Sequence, residues 1–490
     1  MEKPNILYIL ADDLGYGDVS ANNEGMPFST KHIDRIAREG MRYTDAHASS
    51  AVCSPSRYSL LTGRYNWRSS LKQSVLSGYS EPLIIEGRKT LASFLKQQGY
   101  RTHAIGKWHL GMSFPREPGF VEASEWEESG PLNFTKPIEN GPTTRGFDTF
   151  YGISGSLDMP PYVYIEDDHF TEIPTRRTKS EGMAFWRWGL SGDSFKDEHV
   201  LDHLTDKAID LIRASDGTPF FLYLALPAPH TPILPSERFQ GTSHTNAYGD
   251  FVLHCDDVVG RILSLLDEKG LSDSTLVVFS SDNGCSWMAD FETLKQHGHN
   301  PSYHFRGLKS DIFEGGHRVP CLMRWPHVIP PNTVTHELTG LFDLYATLAE
   351  YFHYALQDDE AVDSVSMLSL LLDPEGATGR QSLVHQSADG SLSIRRGPWK
   401  LAMCSGSGGY SFPAPGSKEE ATLPPFQLYN MVCDYAEQRN VASRYPEVVA
   451  HLRKELLGII REGRSTPGPR QEHEGVQFWD TITWARKLAE

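Results

Sequence analysis

One short segment of the sequence groups a thiol, a proline and a cation at helical spacing. It covers residues 53–57 (CSPSR) and continues into residues 60–64 (LLTGR). If Cys53 opens a helix, Arg57 lies one turn later on the same face, and backbone N–H groups at the helix N-terminus favour an anion nearby. The segment therefore predicts a pocket for an oxyanion beside a reactive side chain, or else a small buried cysteine ahead of an ordinary helix.

Other polar residues stand directly after continuous apolar runs, which are typical of strands buried on both faces of a parallel sheet. Helix-like segments alternate with these runs, so the sequence predicts an α/β fold with helices on both faces of the sheet. Such sheets bind ligands beyond the carboxyl ends of their strands. The residues that we therefore expect at one composite site are Asp12 and Asp13 (after residues 5–11), Lys107 and His109 (after 101–105), His230 (after 220–226), and Asp282 and Asn283 (after 276–281).

Two of these groups carry further information. Adjacent carboxylates at the end of a buried strand repel each other unless a cation lies between them, so Asp12 and Asp13 predict either a metal site or a solvated acidic turn. His230 has a proline on each side, at positions 229 and 232. These prolines stiffen the backbone that carries the imidazole.

Charge and composition exclude several classes of function. The 490-residue chain has a formal net charge of −17, which argues against binding to nucleic acid or to an anionic membrane surface. No apolar run is long enough to span a bilayer and no secretory signal is recognised, which fits a cytoplasmic protein or an exported one without its leader. The six cysteines are widely spaced and suggest neither a zinc site nor a dense disulfide framework.

A change in the pattern of predicted helices and strands divides the chain into two predicted units. Residues 1–378 carry the alternating helices and strands, whereas residues 379–490 predict a small antiparallel sheet with one packed helix over 446–460. Within the first unit, residues 113–190 are rich in proline, glycine and aromatic residues. We expect this stretch to be irregular and to form lid or substrate loops.

The content and order of these segments resemble the type I, formylglycine-dependent sulfatases of the alkaline phosphatase superfamily. The resemblance rests on residues 5–13, 53–64, 106–109, 229–232, 282–284 and 306–316. It implies a large mixed, mostly parallel sheet sandwiched by helices in residues 1–378, a smaller C-terminal antiparallel sheet with a helix in residues 379–490, and hydrolysis of sulfate esters.

The resemblance also implies two cofactors. Cys53 would be converted by a formylglycine-generating enzyme into formylglycine, whose hydrated aldehyde is the nucleophile. One divalent cation would be held by the modified Cys53 and by Asp12, Asp13, Asp282 and Asn283. This all-oxygen set suits Ca²⁺ or Mg²⁺ better than zinc, and we expect Ca²⁺.

The remaining catalytic roles follow from the same resemblance. Arg57 would orient the hydrated aldehyde, and Lys107 and Lys309 would bind sulfate oxygens. His230, together with Lys309, would protonate the departing alcohol, while His109 would act as the base that expels sulfate. Ser156 matches a position near the sulfate only loosely.

Two alternative functions and the nature of the substrate complete the sequence-based expectations. The alternatives are a phosphonate or phosphodiester hydrolase of the same superfamily, and a non-catalytic anion-binding protein in which Cys53 stays a thiol. The acidic chain and the polar, aromatic stretch 113–190 favour a sulfated saccharide over a hydrophobic steroid sulfate, although a small sulfate ester also fits. The specific expectation is 6-O-sulfated galactose or N-acetylgalactosamine.

Overall fold

The computed structural model describes residues 3–123, 126–377 and 379–487. Its strands are β1 (Asn5–Asp12), β2 (Met41–Tyr43), β3 (Ala46–His47), β4 (Arg101–Lys107), β5 (Arg116–Val121), β6 (Gly130–Leu132), β7 (Thr149–Ile153), β8 (Ile165–Glu166), β9 (His169–Phe170), β10 (Arg176–Ser180), β11 (Trp186–Ser191), β12 (Phe220–Pro229), β13 (Thr275–Ser281), β14 (Cys321–Arg324), β15 (Thr333–Thr335), β16 (Thr339–Gly340), β17 (Ser382–Gln386), β18 (Leu392–Arg396), β19 (Trp399–Ala402) and β20 (Gln427–Asn430). Its helices are α1 (Ile33–Arg38), α2 (Cys53–Thr62), α3 (Leu91–Gln97), α4 (Val200–Arg213), α5 (Ala247–Glu268), α6 (Phe291–Gln296), α7 (Glu314–His317), α8 (Leu344–Tyr351), α9 (Leu368–Leu372), α10 (Pro446–Glu462) and α11 (Thr483–Lys487).

Strand β1 lies near the centre of a ten-stranded sheet with the order β15-β2-β14-β13-β1-β12-β4-β7-β8-β9. The run from β13 to β7 is parallel, whereas β14 pairs antiparallel with both β13 and β2. All of β1 is buried because its side chains alternate between two apolar cores on opposite faces of the sheet. The prediction of a mostly parallel sheet buried on both faces is confirmed.

Helices cover both faces of this sheet. Apolar residues of α2, α3 and α8 belong to the core on one face, and those of α4 and α5 belong to the core on the other. Helix α5 begins after Asn246, whose side-chain oxygen accepts hydrogen bonds from the backbone N–H groups of Tyr248 and Gly249. None of the helices in the described ranges is long and apolar enough to cross a membrane.

The stretch 113–190 is more regular than its composition predicts. It contains β5 to β10 and most of β11, and β7 extends the main sheet by pairing parallel with β4. The β10–β11 hairpin and the β5–β6 pair are two-stranded and stand outside the main sheet. The expectation of irregular structure was therefore wrong for the parts that form β5 to β11, because short strands with proline and glycine inside them still pair with local partners.

The C-terminal unit is a four-stranded antiparallel sheet in the order β17-β18-β19-β20. Helix α10 packs on it, and both contribute to one apolar cluster that also includes Tyr65 and Trp67 from the first unit. The predicted antiparallel sheet and helix are confirmed. The predicted boundary after residue 378 involves a residue outside the described ranges and stays a prediction.

A buried chain of polar side chains joins the two units. The Nζ atom of Lys400 lies 3.0 Å from His317 Nε2, His317 Nδ1 lies 3.0 Å from His47 Nδ1, and His47 Nε2 lies 2.8 Å from Asp45 Oδ1. His317 Nε2 also lies 3.1 Å from the carbonyl oxygen of Ile312, so this nitrogen faces both a donor and an acceptor, while the Asp45 carboxylate accepts from His47 Nε2. His385 stacks on His317 with ring centroids 3.8 Å apart.

His317 and His385 of this junction are neutral, which makes a prediction about acid stability. Burial, reinforced by nearby positive charge, holds the pKa values of His317 and His385 well below 6.5. The unfolded chain therefore binds protons below about pH 6.5 that the folded chain does not, and stability falls as pH drops through this range. We expect His385→Phe, which keeps the ring stack, to reduce this loss by about one proton, or about 1.4 kcal/mol per pH unit.

Urea unfolding measured between about pH 6.5 and pH 5 checks this expectation. The matched control is His451→Phe, because the side chain of His451 is 65% exposed and should not change the slope. Equal pH slopes for wild type and His385→Phe would contradict the assignment.

Candidate active site

The carboxyl ends of four neighbouring parallel strands bring the predicted polar residues together. Strand order β13-β1-β12-β4 places the end of each strand beside the next. The residues delivered in this way are Asp282 and Asn283 after β13, Asp12 and Asp13 at the end of β1, His230 after β12, and Lys107 with His109 at the end of β4.

Cys53 is the first residue of α2 and lies against this edge of the sheet. It is 2% exposed, and Arg57, one turn later, is fully buried. Two backbone hydrogen bonds hold the loop before Cys53 in place. Ala51 N donates to Gln386 O (2.8 Å), and Ser310 N donates to Ala51 O (2.7 Å). Burial raises the pKa of the Cys53 thiol to about 12, so the unmodified side chain is protonated at neutral pH.

Two of the carboxylates form buried ion pairs with cationic side chains. Lys107 Nζ donates to Asp12 Oδ2 at 2.7 Å, and the Arg57 guanidinium donates to Asp282 Oδ2 from Nε at 2.9 Å, with Nη2 2.7 Å away. Burial alone would raise the pKa of Asp12, but Lys107, His230 and Arg57 hold it well below its usual value. Burial raises the pKa of Asp282 to about 6 despite Arg57, and the negative charge of Asp12 adds to this rise.

The third carboxylate pairs with the lysine that follows the glycine turn at position 307. Lys309 Nζ lies 2.7 Å from Asp13 Oδ1, and Asn283 Nδ2 donates to the same carboxylate oxygen at 2.7 Å. Burial would lower the pKa of Lys309, but Asp13 and its neighbours raise it well above the usual value. Three carboxylates are therefore matched by three cations before any ligand binds.

Several atoms of this group fit a hard cation. Oxygen atoms of Asp12 and Asp13, the Cys53 sulfur and a His230 nitrogen all lie within 4.8 Å of one another. The buried atoms Asp12 Oδ1 and Asn283 Oδ1 make no hydrogen bond. Buried oxygens left without a donor cost free energy unless another positive group meets them. The set is rich in carboxylate and amide oxygens, which Ca²⁺ and Mg²⁺ prefer.

His109 is arranged as a neutral base. Its Nε2 donates to the carbonyl of Leu76 at 2.8 Å, while its buried Nδ1 makes no hydrogen bond. Burial, and then the charge of Lys107, hold the pKa of His109 well below 6.5. The Nδ1 lone pair is therefore free to accept a proton inside the cavity.

His230 and Ser156 face the same space from the opposite side. His230 Nδ1 lies 2.6 Å from the carbonyl of Thr231, which fixes this nitrogen as a donor. Its Nε2 then points towards Ser156 Oγ at 3.3 Å and Asp13 Oδ2 at 3.6 Å. Lys107 Nζ also donates to Ser156 Oγ at 3.1 Å, so the loosely matched serine lies between a lysine and a histidine of the site.

The backbone is strained at three positions of this site. Asp13, His109 and Ser310 have φ values of 62°, 55° and 79°, in the left-handed region that non-glycine residues seldom adopt. Such strain persists where the surrounding structure fixes a functional side chain. Here it sets the directions of Asp13 and His109, and it bends the chain directly after Lys309.

A cavity of about 790 Å³ opens above these residues, and part of its lining comes from the stretch 113–190, which the sequence predicts to form lid or substrate loops. The carboxylate of Asp158 is 2.5 Å from Arg187 Nη1 through Oδ2, and its Oδ1 is buried without a partner. Exposed aromatic side chains of Trp287 and Tyr410 also line the cavity. The sequence analysis included Asp158 and Arg187 only within the expected substrate stretch 113–190, and it did not single out any of these residues because three segments that only the fold brings together contribute them.

Comparisons with known proteins agree with this geometry. A Bacteroides thetaiotaomicron protein named N-acetylgalactosamine-6-O-sulfatase is 33% identical, over 94% of this chain and 93% of that protein. N-acetylgalactosamine-6-sulfatase of Sus scrofa is 32% identical, over 99% of this chain and 90% of that protein. A solved structure from work on glycosaminoglycan metabolism by B. thetaiotaomicron has a TM-score of 0.81 and 32% identity, covering 94% of this chain and 99% of that one.

The family profile named Sulfatase matches residues 4–354, which include every residue of the site described above except those contributed by the C-terminal unit. The match spans well over half of the chain. The chain therefore belongs to the sulfatase family and is an enzyme that hydrolyses sulfate esters.

Proposed function

We propose that this sulfatase removes O-sulfate groups from a sulfated saccharide, with 6-O-sulfated N-acetylgalactosamine or galactose as the preferred unit. The observation that carries the proposal is the position of Cys53. It lies at the N-terminus of a buried helix, in one cavity with Lys309, His109 and His230. Fixed cations and two positioned histidines are what breaking a sulfate ester requires.

Membership of the family implies a divalent cation and a formylglycine derived from Cys53. We assign the cation to Asp12, Asp13, Asp282, Asn283 and the modified Cys53, and expect Ca²⁺, with Mg²⁺ as the second choice. The free buried oxygens of Asp12 and Asn283 support this assignment. When bound, the two groups supply positive charge beside the sulfate and an oxygen nucleophile whose second hydroxyl permits release of sulfate by elimination.

The surrounding side chains bind and orient the sulfate. The three carboxylates and three cations balance each other, so a bound divalent cation leaves the site positive and attracts a sulfate monoester within an acidic protein. Lys107 and Lys309 lie on the two sides of this centre and would bind sulfate oxygens, with Ser156 as a further donor. Arg57 is fully buried and held by Asp282, which suits a residue that orients the Cys53-derived group.

The two histidines divide the proton transfers. His230 donates a hydrogen bond from Nδ1 to the carbonyl of Thr231, and its Nε2 lies 3.6 Å from Asp13 Oδ2. As the acid, His230 would pass a proton from Nε2 to the oxygen of the departing alcohol as the sulfur–oxygen bond breaks. His109, neutral with a free Nδ1, would take a proton when sulfate is released. A positioned acid or base of this kind contributes about 10²–10⁴-fold to the rate.

The saccharide is inferred from the cavity and from the relatives. Buried Asp158 and half-buried Arg187 form a pair in the cavity that His230 also lines, and the unpaired Oδ1 of Asp158 and the guanidinium can exchange hydrogen bonds with sugar hydroxyls. The names of the two curated relatives point to N-acetylgalactosamine 6-sulfate as their substrate. Both observations favour a polar sugar over a steroid.

The test compares turnover of sulfated monosaccharides, an aryl sulfate, an aryl phosphodiester and a steroid sulfate by protein made with a formylglycine-generating enzyme. We expect the 6-O-sulfated hexosamine or galactose to have the highest kcat/KM among the biological esters, and the aryl sulfate to exceed the phosphodiester. Turnover of steroid sulfate with none of the sugars would overturn the substrate assignment, and preferential phosphodiester cleavage would favour the alternative hydrolase.

Removal of the divalent cation gives a separate prediction. A cation that binds the folded site stabilises the folded state by mass action, so we expect chelation to lower Tm and to reduce activity by about 100-fold or more. Ca²⁺ should restore both more fully than Mg²⁺. Asp282→Asn should abolish the Tm response, whereas Asp290→Asn, at an exposed carboxylate, should retain it. A Tm insensitive to chelator in wild type would contradict the metal site.

A further inference from the structure

The outer part of the active-site cavity carries aromatic side chains that the chemistry at Cys53 does not need. Trp287 is 57% exposed and Tyr410 is 61% exposed, yet both line the cavity that contains Cys53. Trp287 comes from the loop after β13, and Tyr410 comes from the C-terminal unit, between β19 and β20. Large exposed aromatics next to a catalytic pocket mark a binding surface.

The loop that carries Tyr410 is held against the catalytic segment. Ser411 N donates to Asp311 Oδ1 at 3.0 Å, and Ile312 N donates to Ser407 O at 2.7 Å. These bonds lie within three residues of Lys309. The position of Tyr410 is therefore fixed relative to the sulfate-binding lysine, although its ring is exposed.

The side chains that line the cavity include more carboxylates than lysine or arginine residues. Of the described residues lining it, the cations Lys309 and Arg187 are each paired with a carboxylate, Asp13 and Asp158 respectively. The lining also includes two exposed carboxylates, Asp290 and Glu181, and the Glu181 carboxylate lies 3.5 Å from Lys179 Nζ, outside the lining. The outer cavity therefore offers aromatic faces and negative charge, and its lining provides no free lysine or arginine for a second anion.

We propose that Trp287 and Tyr410 form a second saccharide subsite, which takes an uncharged sugar linked to the sulfated unit and disfavours a hexuronate or a second sulfate. The inference rests on the proposed function, because the sulfated unit must occupy the inner cavity. Aromatic rings bind the apolar faces of sugar rings at low entropic cost, and the carboxylates Glu181 and Asp290 repel a neighbouring anion. The substrate class is then a neutral-backbone oligosaccharide carrying an isolated sulfate.

Three probes test the subsite on the converted enzyme. They are 6-O-sulfated N-acetylgalactosamine alone, the same unit linked through its anomeric carbon to a neutral hexose, and the same unit linked to a hexuronate. We expect kcat/KM for the neutral disaccharide to exceed that for the monosaccharide by about tenfold, the value of one good stacking contact. The hexuronate disaccharide should have a kcat/KM no higher than that of the monosaccharide. The difference in kcat/KM between the two disaccharides should shrink as salt is added.

Variants then assign this preference to the named rings. Trp287→Ala and Tyr410→Ala should each lower turnover of the neutral disaccharide towards the monosaccharide rate while changing the monosaccharide rate by less than about twofold. Tyr410→Phe should keep the preference because it keeps the ring. The matched control is Phe412→Ala, on the same loop and 68% exposed but lining a different cavity, which should change neither rate.

A double variant tests the charge assignment. Glu181→Gln with Asp290→Asn should raise turnover of the hexuronate disaccharide several-fold, and asparagine preserves the cap that Asp290 provides for α6. A monosaccharide hydrolysed as fast as the neutral disaccharide by wild type would overturn the subsite, as would faster turnover of the hexuronate disaccharide. Hydrolysis of aryl sulfate with no turnover of any sugar would instead contradict the proposed function.

Discussion

Cys53→Ala is expected to lower turnover of every sulfate ester by about 10⁵-fold or more, while the protein keeps its fold. The variant removes the only nucleophile that the proposed mechanism uses. Alanine at the first position of α2 is a good helix residue and removes a single buried atom, so thermal unfolding should change little. Steady-state kinetics and circular dichroism measure the two effects.

The same loss is expected for wild-type protein made without the formylglycine-generating enzyme. Its Cys53 thiol stays protonated, because burial raises its pKa to about 12, and it lacks the oxygen nucleophile. Mass spectrometry of the peptide containing Cys53 should show the aldehyde only in active preparations. The control is Cys321→Ala, a buried cysteine on β14 that lies outside the site and should leave turnover intact. Full activity with an unmodified thiol would contradict the mechanism.

His230→Ala is expected to have an effect that depends on the leaving group. A sugar alcohol leaves as a strong base and needs a proton, whereas a nitrophenol leaves without one. We therefore expect a loss of about 10³-fold on a sulfated sugar and less than about tenfold on nitrophenyl sulfate. Loss of equal size on both esters would contradict the role of His230 as the acid.

His109→Ala provides the contrast for this experiment. If His109 takes a proton during sulfate release, its replacement slows a step that comes after the alcohol has left. The loss should then be similar for the sugar and the nitrophenyl ester, and nitrophenol should appear in a rapid burst before the slow steady state. If His109→Ala showed no burst and lost more activity on the sulfated sugar than on nitrophenyl sulfate, His109 would be the acid and His230 the base.

Much of the fold could be predicted because the strongest signals are local. The apolar run of residues 5–11 becomes a fully buried central strand, and the spacing of Cys53 and Arg57 becomes one turn of α2. The parallel arrangement then follows from the alternation of helices and strands, and it places Asp12, Asp13, His230 and Asp282 at one edge of the sheet.

Boundaries set by distant residues could not be predicted. Helix α1 begins at Ile33, and the side chain of the residue before it makes no capping hydrogen bond. The backbone N–H groups of His32 and Ile33 donate instead to Asp256 Oδ1, a carboxylate on α5 more than 220 residues away. No local pattern around position 30 contains this information. The same reason applies to Asp158, Trp287 and Tyr410, which meet in one cavity only after folding.

The hydrogen bonds that hold the loop before Cys53 can form only late in the synthesis of the chain. One of them reaches Gln386, and the Oγ of Ser50 donates to the same carbonyl across 336 residues of sequence. A ribosome adds about 5–20 residues per second, so the segment leaves the ribosome tens of seconds before its last partner exists. During this interval the loop lacks the strand that closes it, whereas in the finished protein Cys53 is 2% exposed. Access of any other protein to Cys53 is therefore easiest during this limited period, which ends when the C-terminal sheet emerges and folds.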